Sequence, residues 1–163
     1  MKTTAVILCR YGSSRLRGKH FKKVGEKYAI EHTLNSLTKN KNIDEFYIAS
    51  GTIKKNLIFK KKLSYLYPRL KFYFHKNENN VVERIANLAK KIKNENLIII
   101  SGDCPIIDNQ FLYNMFSKFC KKDYDITYSK KKLQHEGILL TKTRIWDYVN
   151  KNSKTKKYQE HPG

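Results

Sequence analysis

Short apolar runs of strand length alternate along this chain with longer stretches whose apolar residues recur every three or four positions. The two periods belong to strands and helices respectively, so the alternation restricts the fold class more than any other feature. Residues 5–9 read as a buried strand, followed by a loop rich in Gly, Ser and Arg. Helical spacing follows at 30–37, a second strand at 45–49, and a helix at 54–67 that stops before Pro68. A short strand at 71–74 precedes an apolar stripe made by Val81, Val82, Ile85, Leu88, Ala89 and Ile92, which predicts an amphipathic helix. Residues 97–100 form the most buried-looking strand. After it come a helix at 110–119, strands at 124–128 and 137–140, and a helix around Trp146. This order implies an α/β domain: a mostly parallel sheet with helices on both faces, spanning residues 1–163 as one unit. Ligands of such sheets bind beyond the carboxyl ends of the strands, which selects the loops after Cys9 and after Ile100.

Composition bounds the rest. With 163 residues, 40% hydrophobic and 12% aromatic, the chain can bury one core. No apolar run approaches the roughly 20 residues a membrane span needs, and the first eight residues read as a strand, not a signal peptide. Three cysteines, Cys9, Cys104 and Cys120, form no CxxC pair, which suits a reducing cytoplasm. The formal charge of +20 admits nucleic-acid binding, but only six of the 34 basic residues are Arg, and the lysines lie in short clusters throughout. That pattern fits a chain rich in Lys, Asn and Ile with solvated helix faces, and it lacks a recognition helix, zinc motif or aromatic RNA platform. A positive field still attracts a triphosphate. The polar, Lys-rich tail at 150–157 reads as loosely held.

The first loop reads Arg10-Tyr11-Gly12-Ser13-Ser14-Arg15-Leu16-Arg17-Gly18-Lys19. Two glycines permit tight backbone geometry, and Gly12, Ser13 and Ser14 can turn several N–H groups toward one anion. Arg10, Arg15 and Lys19 bring cations to the same place. The spacing fits neither a Walker loop nor G-x-G-x-x-G, and taken alone the loop reads as a basic surface loop. The second loop, Ser101-Gly102-Asp103-Cys104-Pro105-Ile106-Ile107-Asp108, puts Asp103 just past a buried strand. A carboxylate there suits Mg²⁺, although Gly-Asp is also a common turn. Asp108 sits where the next helix needs its N-cap. Cys104 has no evident partner base and reads as packing. Among the histidines, His20 adjoins the first loop without a role, His32 falls on a helix, His75 reads as covering a strand edge, and His135 lies in a polar loop. Phe46, Tyr47, Phe72 and Phe74 read as core.

Together the loops resemble a known family. "AVILCRYGSSRLRGK" resembles the opening of the cytidylyltransferases that act on acylneuraminate and 3-deoxy-manno-octulosonate, above all the branch called spore coat polysaccharide biosynthesis proteins. "ISGDCPIID" resembles that branch's second motif, "NNVVERIANLAKK" its segment with an arginine before a helix, and "YQEH" a later Glu-His element. The resemblance implies a Rossmann-like nucleotide-diphospho-sugar transferase (GT-A-like) fold. It also implies transfer of CMP from CTP to a sugar or sugar acid, with release of pyrophosphate, in cell-surface polysaccharide biosynthesis. By the same resemblance, Arg10, Arg15 and Lys19 are catalytic and hold phosphates. Leu8, Cys9, Gly12, Ser13, Ser14 and Arg84 bind the nucleotide, Asp103 binds Mg²⁺, and His161 touches the acceptor beside Glu160. Arg17 stands where the family has Pro, which predicts a looser loop; Leu8 replaces a frequent Gln and Cys9 an Ala. The match fails after His161, whereas family members continue into a part that carries dimer contacts and a second acidic metal ligand. The expectation is therefore a single nucleotidyltransferase domain lacking that part, a homodimer where it is present, and a cytoplasmic enzyme. The alternatives are a transferase of another nucleotide, an inactive nucleotide-binding domain, and a basic nucleic-acid-binding domain.

Overall fold

The computed structural model describes residues 2–13, 16–128 and 137–160. The elements run β1 (Thr3–Leu8), a 3₁₀ turn (Lys19–Phe21), β2 (Lys23–Val24), β3 (Lys27–Tyr28), α1 (Ala29–Thr38), β4 (Glu45–Ser50), α2 (Ile53–Leu63), β5 (Leu70–Phe74) and α3 (Val81–Ala89). They continue with β6 (Asn96–Ser101), α4 (Asn109–Lys122), β7 (Ile126–Tyr128), β8 (Leu139–Lys142), α5 (Ile145–Asn152) and α6 (Lys156–Glu160). Six strands form one sheet in the order β5-β4-β1-β6-β8-β7, and β2 and β3 form a separate hairpin. β5, β4, β1 and β6 run parallel, while β8 pairs antiparallel with β6 and β7 antiparallel with β8. The mostly parallel α/β reading therefore holds, with an antiparallel edge. No helix separates β7 from β8 among the described residues, and consecutive strands without a crossover pair antiparallel.

Alternation along the strands divides the core. Ala5, Ile7, Ile98 and Ile100 face one cluster with Leu34, Phe59 and Phe119. Val6, Leu97 and Ile99 face the other, with Ile85, Leu88 and Trp146. β1 is central and buried on both faces, as a parallel strand between helical layers must be. From β1 the sheet is built outward through β4 on one side and β6 on the other. The order thus reverses at the β1/β6 junction, and a crevice opens beyond the carboxyl ends of these two strands.

Local chemistry explains most boundaries. Asn80 caps α3, accepting from the Glu83 N–H at 2.9 Å. Asp108 caps α4, accepting from the N–H groups of Gln110 at 2.9 Å and Phe111 at 3.0 Å. The helix expected over 54–67 ends at Leu63 instead. Tyr65 and Leu66 beyond it are exposed, so no apolar face extends the helix. The tail is not loose: α5 and α6 occupy it, and α6 packs on α3. His75 follows the edge strand β5 and is buried, its ring facing Asn87 at 3.2 Å and the Asn77 backbone at 3.2 Å.

Candidate functional site

The crevice is assembled by the register of β1 on β6, which sets Leu8 beside Ser101. The Gly102 N–H then donates to the Leu8 carbonyl at 2.9 Å, carrying the two loops forward side by side. Gly102 must remain glycine, because a Cβ there would collide with the Cys9 sulfur. In the first loop Gly18 takes φ +67° and its N–H closes on the Tyr11 carbonyl at 2.9 Å. This turn delivers Lys19 to the crevice at the start of the 3₁₀ turn. Gly12 has no positive φ and open space around it, so only one of the two glycines uses its freedom. The Arg17 guanidinium stacks 5.6 Å from the Tyr11 ring centre.

Lys19 Nζ forms an ion pair with Asp103 Oδ2, and the Ser101 hydroxyl donates to Asp103 Oδ1. Burial pushes the Asp103 carboxyl up, but the Lys19 and Ser101 hydrogen bonds outweigh it and hold the group below the usual carboxylate range. Asp103 thus stays ionised, as a cation ligand must. Arg84 enters from α3, is 2% exposed, and its Nη2 donates to the Glu78 carbonyl at 2.7 Å. Its Nε has no hydrogen-bond partner among the described residues. Burial lowers the Arg84 pKa, partly offset by the nearby Glu78 charge. Arg10 spans the mouth, donating to Asn79 Oδ1 at 3.1 Å and to Glu160 Oε1 at 3.2 Å.

A cavity of about 150 Å³ lies between these groups. Seven residues read as site residues from the sequence line it: Leu8, Cys9, Arg10, Ser13, Lys19, Arg84 and Asp103. Gly12 lines an adjoining cavity of about 510 Å³ that shares Arg10 and Glu160 with the first. Ser14, Arg15 and His161 lie outside the described residues. Cys9 is 3% exposed and burial pushes its thiol well up, so it is a neutral wall and not a nucleophile. Cys104 is buried in the core cluster, as expected for a packing residue.

Four residues gain a place the sequence did not assign. His20 lines the cavity, packed edge-on against Phe59 with ring centres 5.3 Å apart, and burial lowers its pKa to about 4. Glu160 reaches the crevice from α6. Asn56 and Glu78 brace the loops from behind, with Asn56 accepting the Tyr11 N–H at 2.9 Å. For Asn56 a signal existed: it is polar yet shares the buried spacing of Phe59 and Leu63. Glu78 lies in a polar run with no periodicity and gave none.

A cation held here would have the Asp103 carboxylate as its protein ligand. Among the described residues no group of three or more His, Cys, Asp or Glu side chains could hold a metal alone. One ionised carboxylate beside a cationic, phosphate-sized cleft is the donor set that suits Mg²⁺, which completes its shell with phosphate oxygens and water.

The model of the cytidylyltransferase family matches residues 4–163. This chain belongs to the cytidylyltransferase family. It is 29% identical over 151 residues to 3-deoxy-manno-octulosonate cytidylyltransferase 2 of Hydrogenovibrio crunogenus, covering 85% of this chain and 55% of that protein. It is 24% identical over 161 residues to an uncharacterised protein of Methanocaldococcus jannaschii, covering 99% of this chain and 65% of the relative. The chain therefore spans a little over half to about two thirds of these curated relatives. A solved cytidylyltransferase structure from Leptospira borgpetersenii superposes with a TM-score of 0.80 at 21% identity, covering 99% of this chain and 69% of that one. The nucleotide-sugar transferase fold expected from the resemblance is thereby shown.

Proposed function

We propose that this cytidylyltransferase-family chain transfers CMP from CTP to a sugar or sugar acid and releases pyrophosphate. The observation that carries the reading is the convergence of Lys19 and Asp103 as an ion pair at the mouth of a cavity also lined by Arg10 and Arg84. The first loop and the segment after β6 are 84 residues apart in sequence, and their meeting supplies both cation and carboxylate to one triphosphate. The resemblance of the matched relative, named as a 3-deoxy-manno-octulosonate cytidylyltransferase, supports cytosine as the base and an acidic sugar as the acceptor.

In this reading an acceptor hydroxyl attacks the α-phosphorus in line. A new P–O bond forms as the hydroxyl proton passes to water, the α–β P–O bond breaks, and the electron pair leaves with pyrophosphate. The chain's work is positioning and charge stabilisation. On this reading Arg10, Arg15 and Lys19 hold the phosphates, and Gly12, Ser13 and Ser14 contribute to binding them. Arg84 offers its Nε–H to an anion inside the cavity, while Leu8 and Cys9 wall the nucleotide. When bound at Asp103, Mg²⁺ supplies Lewis-acid charge neutralisation on phosphate oxygens. The setting of this chemistry in cytoplasmic cell-surface polysaccharide synthesis, and a homodimer formed through further chain, belong to the same proposal. No helix among the described residues is long and apolar enough to cross a membrane.

The test is a pyrophosphate-release assay with CTP, Mg²⁺ and a panel of acidic sugars, with UTP, GTP and ATP as controls. Release that depends on CTP and an acidic sugar, and disappears in Asp103→Asn, is expected. A preference for another nucleotide overturns the cytidylyl assignment.

A further inference from the structure

Helix α2 starts without a cap of its own. Thr52 stands at its N-cap yet makes no side-chain cap bond, and the first turn has no acidic residue. The missing acceptor arrives from between β5 and α3. Glu78 Oε2 accepts from the Thr52 N–H at 2.9 Å and from the Thr52 hydroxyl at 3.2 Å. A carboxylate at this end of a helix also meets the favourable end of its dipole. Gly51 makes room for it, since a Cβ there would collide with the Glu78 carboxylate.

The same carboxylate reaches further. Asn56 is fully buried on α2, and its Nδ2 donates to Glu78 Oε2 at 3.1 Å and Oε1 at 3.2 Å. An amide whose NH₂ faces a carboxylate must present its oxygen on the other side. That oxygen accepts the Tyr11 N–H at 2.9 Å, inside the first loop. The Glu78 main-chain carbonyl meanwhile accepts from Arg84 Nη2 at 2.7 Å. One residue therefore holds both walls of the cavity: its carboxylate fixes the first loop through Asn56, and its carbonyl fixes the buried guanidinium. Its charge also supports the protonated Arg84 that burial opposes.

We propose that Glu78 is a positioning residue for the nucleotide, setting the distance between the first-loop cradle and Arg84 without touching the ligand. The proposal rests on the functional reading above. Displacement of a phosphate-holding group by about 1 Å costs on the order of 10²-fold in such sites, so the effect is measurable even when the fold survives.

The experiment compares the parent with Glu78→Ala and Glu78→Gln, measuring amide hydrogen exchange at Tyr11 and calorimetric binding of CTP with Mg²⁺. Glu78→Ala is expected to raise Tyr11 exchange at least about tenfold above any rise in the β1 core, and to weaken CTP about tenfold or more. Glu78→Gln keeps one acceptor oxygen and the side-chain shape, so it restores most of the Tyr11 protection and part of the affinity. Should Glu78→Ala fail to fold, Glu78→Gln carries the test, with Tyr11 exchange and CTP affinity both intermediate. The proposal is overturned if the variants lose global stability while Tyr11 exchange rises no more than the core, or if CTP affinity stays within about twofold of the parent. A parent chain that does not bind CTP sinks the functional reading itself, and Tyr11 exchange then decides the clamp alone.

Discussion

The two cationic walls of the cavity are built differently. Lys19 is partly exposed and already paired with a carboxylate, that of Asp103. Arg84 is 2% exposed, leans on a carbonyl, and has an Nε with no hydrogen-bond partner among the described residues. The first wall is neutralised in place, and under the proposed function it would exchange partners when a phosphate binds. The second carries a desolvated charge that leans on the nearby Glu78 carboxylate, a cost the fold tolerates because neighbours fix the side chain. Stability and ligand binding therefore pull together at one wall and apart at the other.

The largest effect should fall on the exchanging wall. Lys19→Ala is expected to lower the pyrophosphate-release rate by on the order of 10²–10³ while leaving Asp103 without its cation. A rate within tenfold of the parent would erase the contrast. At the other wall, Arg84→Met should weaken CTP binding by roughly 1.5–3 kcal/mol, the usual range for hydrogen bonds to a charged group, measured by calorimetry. It removes a desolvated charge but also leaves the Glu78 carbonyl without its donor, so the melting temperature of the ligand-free protein should change little. A drop in both would make Arg84 a structural residue.

The interior behind Lys19 sharpens the comparison through pH. His20 has a native pKa of about 4 against an ordinary 6.5, so the unfolded chain binds more protons between those values. Its contribution is complete above about pH 6.5 and is lost as pH falls toward 4. Urea unfolding at pH 7 and pH 5 should differ by about 2 kcal/mol from this group, and His20→Leu should flatten that difference. The smallest effect belongs to the rim. Arg10 and Glu160 are each a third or more exposed and 3.2 Å apart. Glu160→Gln should change stability by no more than about 1 kcal/mol. By freeing Arg10 it should also tighten CTP modestly, read by titration at low and high salt.

The sequence made some of this visible and hid the rest for physical reasons. Period-two and period-3.6 patterns report burial, so the central strands and α3 were legible, and with them the ends of β1 and β6. Arg84 was reached only through the family resemblance of its segment, since the apolar stripe of α3 places the helix and not its arginine, and Asp108 was reached by cap chemistry. The tail at 150–157 was read from its lysines, and composition does not show that α5 ends and α6 begins within it. Glu78 acts through a helix cap contributed from a distant segment, and local spacing cannot register such a partner.

The placement of β1 has a kinetic side. Its partners lie about 40 residues away on β4 and about 90 on β6. Contacts of high sequence separation close late, since the loop entropy must be met before they form. The pairing that brings Leu8 beside Ser101 is thus expected among the last seams to zip, and the cleft proposed for the nucleotide lies on that seam. A partly folded chain with β1 docked only on β4 would own a finished half-sheet and no binding site, so ligand binding reports completion of the fold itself.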